Sequence, residues 1–160
     1  MISRSGIWAL KACAILAELP VGTYVGAARL ARRTGAPMNY LGKLLRVLSQ
    51  RHLLASQKGF DGGFRLARPA AKISLYEIVG YLEPVERWSG CILGGKTCRD
   101  GTPCSLHRRW KAVRETYLTF LREKTIADVV SPGRSTTKAK VHRTAKRSAK
   151  SGAGLTGERQ

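Results

Sequence analysis

Between Gly26 and Ala67 the chain carries a pattern that few folds accommodate. Gly26-Ala-Ala-Arg-Leu-Ala-Arg-Arg-Thr-Gly35 reads as a short helix stopped by its last glycine, a residue that adopts the left-handed conformation needed to close a helix. Ala36-Pro37 opens a second helix from about Met38 to Arg51, in which Tyr40, Leu41, Leu44, Leu45 and Leu48 recur with the 3.6-residue period of one face. A helix, a glycine-containing turn and an amphipathic helix make a helix-turn-helix. Leu53–Lys58 and Phe64–Ala67 then flank the tip Gly59-Phe-Asp-Gly-Gly63, which predicts two short strands in a β-hairpin. A hairpin directly after a helix-turn-helix is a wing.

The flanking segments complete this domain. Ile7, Leu10, Ala14 and Ala17 line one apolar face of a first helix, and Trp8, Ala12, Ile15 and Leu19 line another. Only Arg4, Lys11 and Glu18 keep a polar stripe, so the helix is expected to be buried on two sides before Pro20 and Gly22 end it. Ser74-Leu-Tyr-Glu77 has capping-box spacing and predicts a helix through about Leu82. The order helix, helix, helix, hairpin, helix gives the fold class: mainly α with a small β-hairpin wing, a winged helix-turn-helix followed by a long C-terminal helix.

The charge balance indicates the ligand. Lys and Arg number 29 against 10 Asp and Glu among 160 residues, a net charge of +19, which excludes an acidic solvating protein and points to a polyanion. A recognition helix enters the major groove with its N-terminal residues toward base edges, so Asn39, Tyr40, Lys43 and Arg46 are the candidates for reading bases of double-stranded DNA. Arg29, Arg32 and Arg33 are expected on phosphates, and Lys58 and Arg65 of the wing on phosphates or the minor groove. Gly42, unusual inside a helix, permits either close approach to DNA or is simply tolerated.

A second constellation follows the winged region. Cys91, Cys98, Cys104 and His107 form Cys-x6-Cys-x5-Cys-x2-His in a loop rich in Gly, Lys, Thr and Asp, which is not core composition. Three thiolates and an imidazole suit tetrahedral zinc or a 2Fe–2S cluster; a 4Fe–4S cluster on the cysteines plus another ligand stays open. Thr102 is placed to cap, and Pro103 to open, a helix whose first turn carries Cys104 and His107. That helix's dipole would favour a thiolate there. Cys13, among small apolar residues, is assigned to the core, and His52 and His142 to the surface.

Beyond Ser105 the residues Trp110, Val113, Tyr117, Phe120 and Leu121 form an apolar stripe on a helix to about Glu123, with Arg108, Arg109, Arg114 and Arg122 opposite. Such a stripe needs cover, from a second copy in a homodimer, from the chain's own first helix, or from both. From Ser131 onward eight Lys and Arg face Glu158 alone, and Val141 and Leu155 are the only large apolar residues, so this tail is expected to be disordered. The resulting division is 1–84 winged helix-turn-helix, 85–104 cysteine-rich loop, 105–128 dimerisation helix and 129–160 basic tail. No apolar run reaches the ~18 residues of a membrane span and no signal cleavage site follows Leu19, so a cytoplasmic, nucleoid-associated protein is expected. Neither an acid–base pair, a nucleotide-binding loop nor a Cys-x-x-Cys motif argues for an enzyme.

Asn39-Tyr40-Leu41, Lys58-Gly-Phe-Asp-Gly-Gly-Phe-Arg-Leu-Ala-Arg68, Ile73-Ser-Leu-Tyr-Glu-Ile78 and the three-cysteine loop together resemble the Rrf2 family of bacterial winged-helix regulators over roughly residues 3 to 126. This group includes iron–sulfur regulators and nitric-oxide sensors of the IscR and NsrR type. The resemblance implies a dimeric repressor or activator whose DNA affinity follows cluster state, with Cys91, Cys98 and Cys104 as cluster ligands. The placement of His107 after the last cysteine is similar to that in the cluster regulator and favours 2Fe–2S. The chain departs from the family pattern in three places. The first cysteine spacing is six rather than the common five, Gly42 stands where the cluster regulator is acidic, and Gly6–Leu10 holds no carboxylate that a partner's cluster would use. The basic tail is an addition, expected to give salt-sensitive non-specific DNA affinity.

Overall fold

A computed structural model describes residues 2–83, 91–92 and 103–130. Its elements are α1 (Arg4–Ala17), α2 (Ala27–Thr34), α3 (Met38–Gln50), β1 (Leu54–Gln57), β2 (Gly63–Leu66), a 3-10 turn (Ala70–Lys72), α4 (Leu75–Leu82), α5 (His107–Glu123) and α6 (Ile126–Val130). The fold is mainly helical with a two-stranded antiparallel hairpin, as the sequence pattern predicts.

Helix α1 runs through the centre, touching α2, α3, α4, α6 and β2. Its most buried positions are Ala9, Ala12, Cys13 and Leu16, with Ile15 beside them. Ala12 and Ile15 belong to the second face expected from the sequence, Ala9, Cys13 and Leu16 lie between the two faces, and Ile7 stays exposed. The small residues on this stripe let neighbouring helices approach closely. Leu30, Leu41, Leu45, Leu48, Leu53, Ile73 and Ile78 complete the core, each fully or almost fully buried. Burial of one such leucine stabilises the fold by roughly 1.5–3 kcal/mol.

Local sequence sets the element ends. Ser3 caps α1 and Ser74 caps α4, the latter in a reciprocal capping box with Glu77. Gly35, at φ 73°, stops α2. Helix α3 ends in a Schellman motif: Leu53 N–H donates to the Leu48 carbonyl (3.0 Å) and His52 N–H to Ser49 (3.1 Å), and His52 itself is left-handed at φ 57°.

The hairpin pairs Leu54 with Leu66, Ala55 with Arg65, Ser56 with Phe64 and Gln57 with Gly63. A bridge between Val25 and Phe64, with two 3.0 Å hydrogen bonds, fastens the wing to the segment entering α2. Gly63 sits against Val25 at φ 151°, where a Cβ would overlap the Val25 carbonyl. The wing is thus built onto the helix-turn-helix through a position that only glycine fills.

The C-terminal region departs from the sequence expectation at the start of its helix. Helix α5 begins at His107, so Cys104 lies in the preceding turn and not on the helix, and Pro103 does not open it. The helix packs on α4. It ends at Glu123, where the apolar stripe predicts. Thr125 bridges back to Ser74, and α6 buries Ile126 beside α1, so residues 126–130 return to the winged body. Thr125 N–H and Oγ1 both donate to the Asp128 carboxylate at 2.8 Å, a cap that holds this short helix. The expected tail beyond Val130 lies outside the described residues.

Candidate functional site

The helix-turn-helix presents an exposed face without acidic charge. Between Glu18 and Asp61 the sequence holds seven Lys and Arg and no Asp or Glu. Leu41, Leu44, Leu45 and Leu48 fix the inner side of α3, so Asn39, Lys43 and Arg46 are forced outward onto one exposed strip. Gly42 lies within that strip, and a Cβ there would meet only the Ala27 side chain at 3.9 Å, an ordinary contact. No packing within the described fold therefore requires a glycine at this position.

Neither α2 nor α3 has a side-chain cap, and neither carries an acidic residue in its first turn. Their N-terminal amides and positive dipole ends therefore add to the basic surface. Gly26 and Pro37 in the cap positions, where α1 and α4 have serine, are the sequence signal for this, and residue-type counting misses it.

The predicted DNA-contacting residues fall into two groups. Arg29, Arg32, Asn39, Lys43, Arg46 and Lys58 are exposed. Arg33, Tyr40 and Arg65 have partners within the fold. Arg33 pairs with Glu18 at 3.2 Å, an exposed contact worth at most about 1 kcal/mol. The Tyr40 hydroxyl lies 2.7 Å from Ser5 Oγ, and its ring meets Trp8 edge-on with centroids 5.9 Å apart. Arg65 places its guanidinium 5.3 Å from the centre of the Tyr24 ring and donates to the Leu66 carbonyl at 3.1 Å. Arg51, the residue that closes α3, sits 5.2 Å from the centre of the Tyr81 ring of α4, a cation–π contact across 30 residues that the sequence alone does not signal.

The cysteine constellation is only partly described. Cys91 is half-buried, Cys104 is exposed, both are free thiols, and Cys98 lies outside the described residues. His107 is buried as the first residue of α5, and its amide donates to the Cys104 carbonyl at 3.0 Å, which holds the last cysteine and the histidine one turn apart. Among the described residues no three His, Cys, Asp or Glu side chains converge on one point. Cys13 is fully buried, and desolvation pushes its thiol up to about 12, so it remains protonated and unreactive at neutral pH.

Helix α5 divides its apolar stripe. Leu121 is buried and Trp110 and Tyr117 are partly covered, whereas Val113 and Phe120 stay 59% and 48% exposed. Arg122 stacks over Tyr76 at 4.9 Å and helps fix the helix on α4. No described helix is long and apolar enough to cross a membrane.

Known proteins place this architecture. The sequence profile of the Rrf2 family, described as "Iron-dependent Transcriptional regulator", matches residues 2–132. A Mycobacterium tuberculosis protein named as an HTH-type transcriptional regulator is 30% identical over 128 residues, 80% of each chain. One of Aquifex aeolicus with the same description is 29% identical over 126 residues, 78% of this chain and 87% of its own. Among solved structures, T. potens IscR superimposes with a TM-score of 0.64 at 26% identity, covering 81% of this chain and 85% of that one. CymR, the global cysteine regulator of B. subtilis, superimposes at 0.69 and 21% identity over 81% and 95%, a likeness of fold. The chain belongs to the Rrf2 family of transcriptional regulators, a family of DNA-binding proteins that includes iron–sulfur regulators.

Proposed function

We propose that this chain is a homodimeric regulator, without catalytic activity, whose operator affinity is controlled by an iron–sulfur cluster held by Cys91, Cys98, Cys104 and His107. The observation that carries the reading is the turn joining Cys104 to a buried His107 at the start of α5, with two free thiols in the described part of the same motif. Three soft thiolates with one imidazole fit a 2Fe–2S centre, and a reversible change of charge or loss of such a centre supplies the sensing chemistry for redox, iron or nitric oxide. The three cysteines with one further ligand also fit a 4Fe–4S centre. The same donor set also fits a structural zinc ion, which is the competing reading.

On the DNA side, Asn39, Lys43 and Arg46 are the residues assigned to base edges, and Arg29, Arg32 and Lys58 to phosphates. Their common exposure within residues 19–60, a stretch without Asp or Glu, supports this assignment. Tyr40 is assigned to base edges with Asn39, Lys43 and Arg46, Arg33 to phosphates and Arg65 to phosphates or the minor groove, and each of the three also has a partner within the fold, in Ser5, Glu18 and Tyr24 respectively. The 17 residues of α5 span about 25 Å, and the exposed Val113 and Phe120 are the apolar half-stripe assigned to a second copy. Two copies would present two recognition helices to two half-sites. The basic residues beyond Ser131 are assigned to non-specific DNA affinity in the cytoplasm, on the nucleoid.

Genomic-fragment selection with full-length protein, once cluster-loaded and once cluster-free, tests this function. The expected result is a set of fragments recovered by one form in preference to the other. Equal recovery of every fragment by both forms would remove the sensing role and leave a DNA-binding protein alone.

A further inference from the structure

Residues 2–8 connect two parts of the molecule that are distant in sequence. We propose that Ser5 and Glu83 are positioning residues for the recognition helix, linking the ends of the cysteine segment through the first turns of α1 to Tyr40 at the start of α3. This inference rests on the sensing function proposed above.

The chain enters the cysteine segment directly after Glu83, the residue that ends α4. The Glu83 carboxylate accepts hydrogen bonds from the Ser3 amide, at 3.0 and 3.3 Å, and from the Ser3 hydroxyl. Ser3 in turn caps α1 by accepting from the Gly6 amide at 3.2 Å. A Cβ on residue 6 would lie 2.5 Å from a Glu83 carboxylate oxygen and 2.6 Å from the Ile2 side chain, so Gly6 leaves the room that the carboxylate takes up in this arrangement. The negative group also faces the positive end of the α1 dipole. On the far side of the segment, the Tyr117 phenol of α5 lies by the Ile2 backbone. Residues on both flanks of the cysteine segment thus lie against the start of α1.

The next residues of α1 face the DNA-binding element. Ser5 Oγ lies 2.7 Å from the Tyr40 hydroxyl, and Trp8 supports the Tyr40 ring. Tyr40 is 43% exposed, so these two contacts supply much of what fixes it, and Asn39 is its immediate neighbour. Hydrogen bonds are directional, so a shift of Glu83 that turns Ser3 also re-aims Ser5 and releases or re-seats Tyr40. The route contains no residue assigned to the cluster and, apart from Tyr40 itself, none assigned to DNA.

The test uses full-length protein and a fluorescein-labelled duplex recovered from the genomic selection. Dissociation constants of cluster-loaded and cluster-free forms are measured for wild type, Ser5→Ala, Ser5→Thr and Glu83→Gln, with iron content and melting temperature recorded for each. Ser5→Ala is expected to shrink the ratio between the two forms by about 2- to 10-fold, the effect of losing one hydrogen bond, with iron content unchanged. Ser5→Thr, which keeps the hydroxyl, restores the ratio, and Glu83→Gln shrinks it from the other end. A ratio in Ser5→Ala equal to that of wild type, or a uniform weakening of both forms, overturns the proposal, because a merely structural role would do no more. If wild type itself shows no ratio, the sensing function fails first and this coupling with it.

Discussion

Replacing Gly63 by alanine tests how the wing is attached. The new Cβ would overlap the Val25 carbonyl and approach the Gly26 amide, and φ at 151° is a conformation that L-residues rarely adopt. Backbone strain of this kind costs about 1–2 kcal/mol. Relieving the overlap requires β2 to move off Val25, breaking the pair of 3.0 Å hydrogen bonds of the Val25–Phe64 bridge, which contribute about 1–3 kcal/mol together. The total is about 2–5 kcal/mol, or near 4 °C of melting temperature per kcal/mol at this size. Gly59→Ala is the control, because Gly59 has φ at 106° but nothing within 4 Å of its would-be Cβ, so only the strain applies. Thermal and urea denaturation of both variants should place Gly63→Ala about 1–3 kcal/mol below Gly59→Ala, with helical circular dichroism retained at low temperature. Melting temperatures within about 2 °C of each other would refute the claim that the Val25 contact anchors the wing.

Three further variants or conditions probe other parts of the molecule. His52→Gly relieves the left-handed residue in the Schellman motif and should raise stability by about 1 kcal/mol in urea titration; no gain would mean that the His52 side chain contributes an offsetting contact. Burial raises the Glu77 carboxyl, but the Arg68 hydrogen bond and charge and the Ser74 hydrogen bonds outweigh it and hold it below the usual carboxylate range. A group with a depressed folded pKa stabilises above its unfolded value, so this contribution is present at neutral pH and is lost as pH falls below about 4.5; Glu77→Gln should flatten that part of the stability profile. With its pKa near 12, Cys13 should resist thiol reagents in the folded apoprotein and react only on unfolding, as mass spectrometry of labelled peptides would show.

The parts of the fold that depend on short-range chemistry were readable in advance. Gly35 stops a helix because its neighbours are helical, and Ser74 and Glu77 cap one another over three residues. Leucines at the 3.6-residue period identify the buried side of α3 without knowledge of what covers it. What could not be read depends on partners far apart in sequence. Ser3 and Glu83 are 80 residues apart, and Ser5 and Tyr40 are 35 apart. The contacts of Tyr40 with Ser5 and Trp8, and the stack of Arg65 on Tyr24, are of this long-range kind. The return of the chain after Glu123 rests on a local Thr125–Asp128 cap and on a bridge to Ser74, which is tertiary.

The residues of the cysteine motif show the same division. Ligand types and spacing point to a metal or cluster, and the Cys104–His107 turn keeps two of them adjacent, but the choice between iron–sulfur and zinc is one of ligand chemistry that both centres share. An anaerobic visible absorption spectrum of purified protein, with iron, sulfide and zinc assays and the same measurements on His107→Ala, addresses that choice directly. The account predicts a coloured protein with about two irons and two sulfides per chain, and a spectrum shifted by the substitution. Stoichiometric zinc in a colourless protein would contradict it.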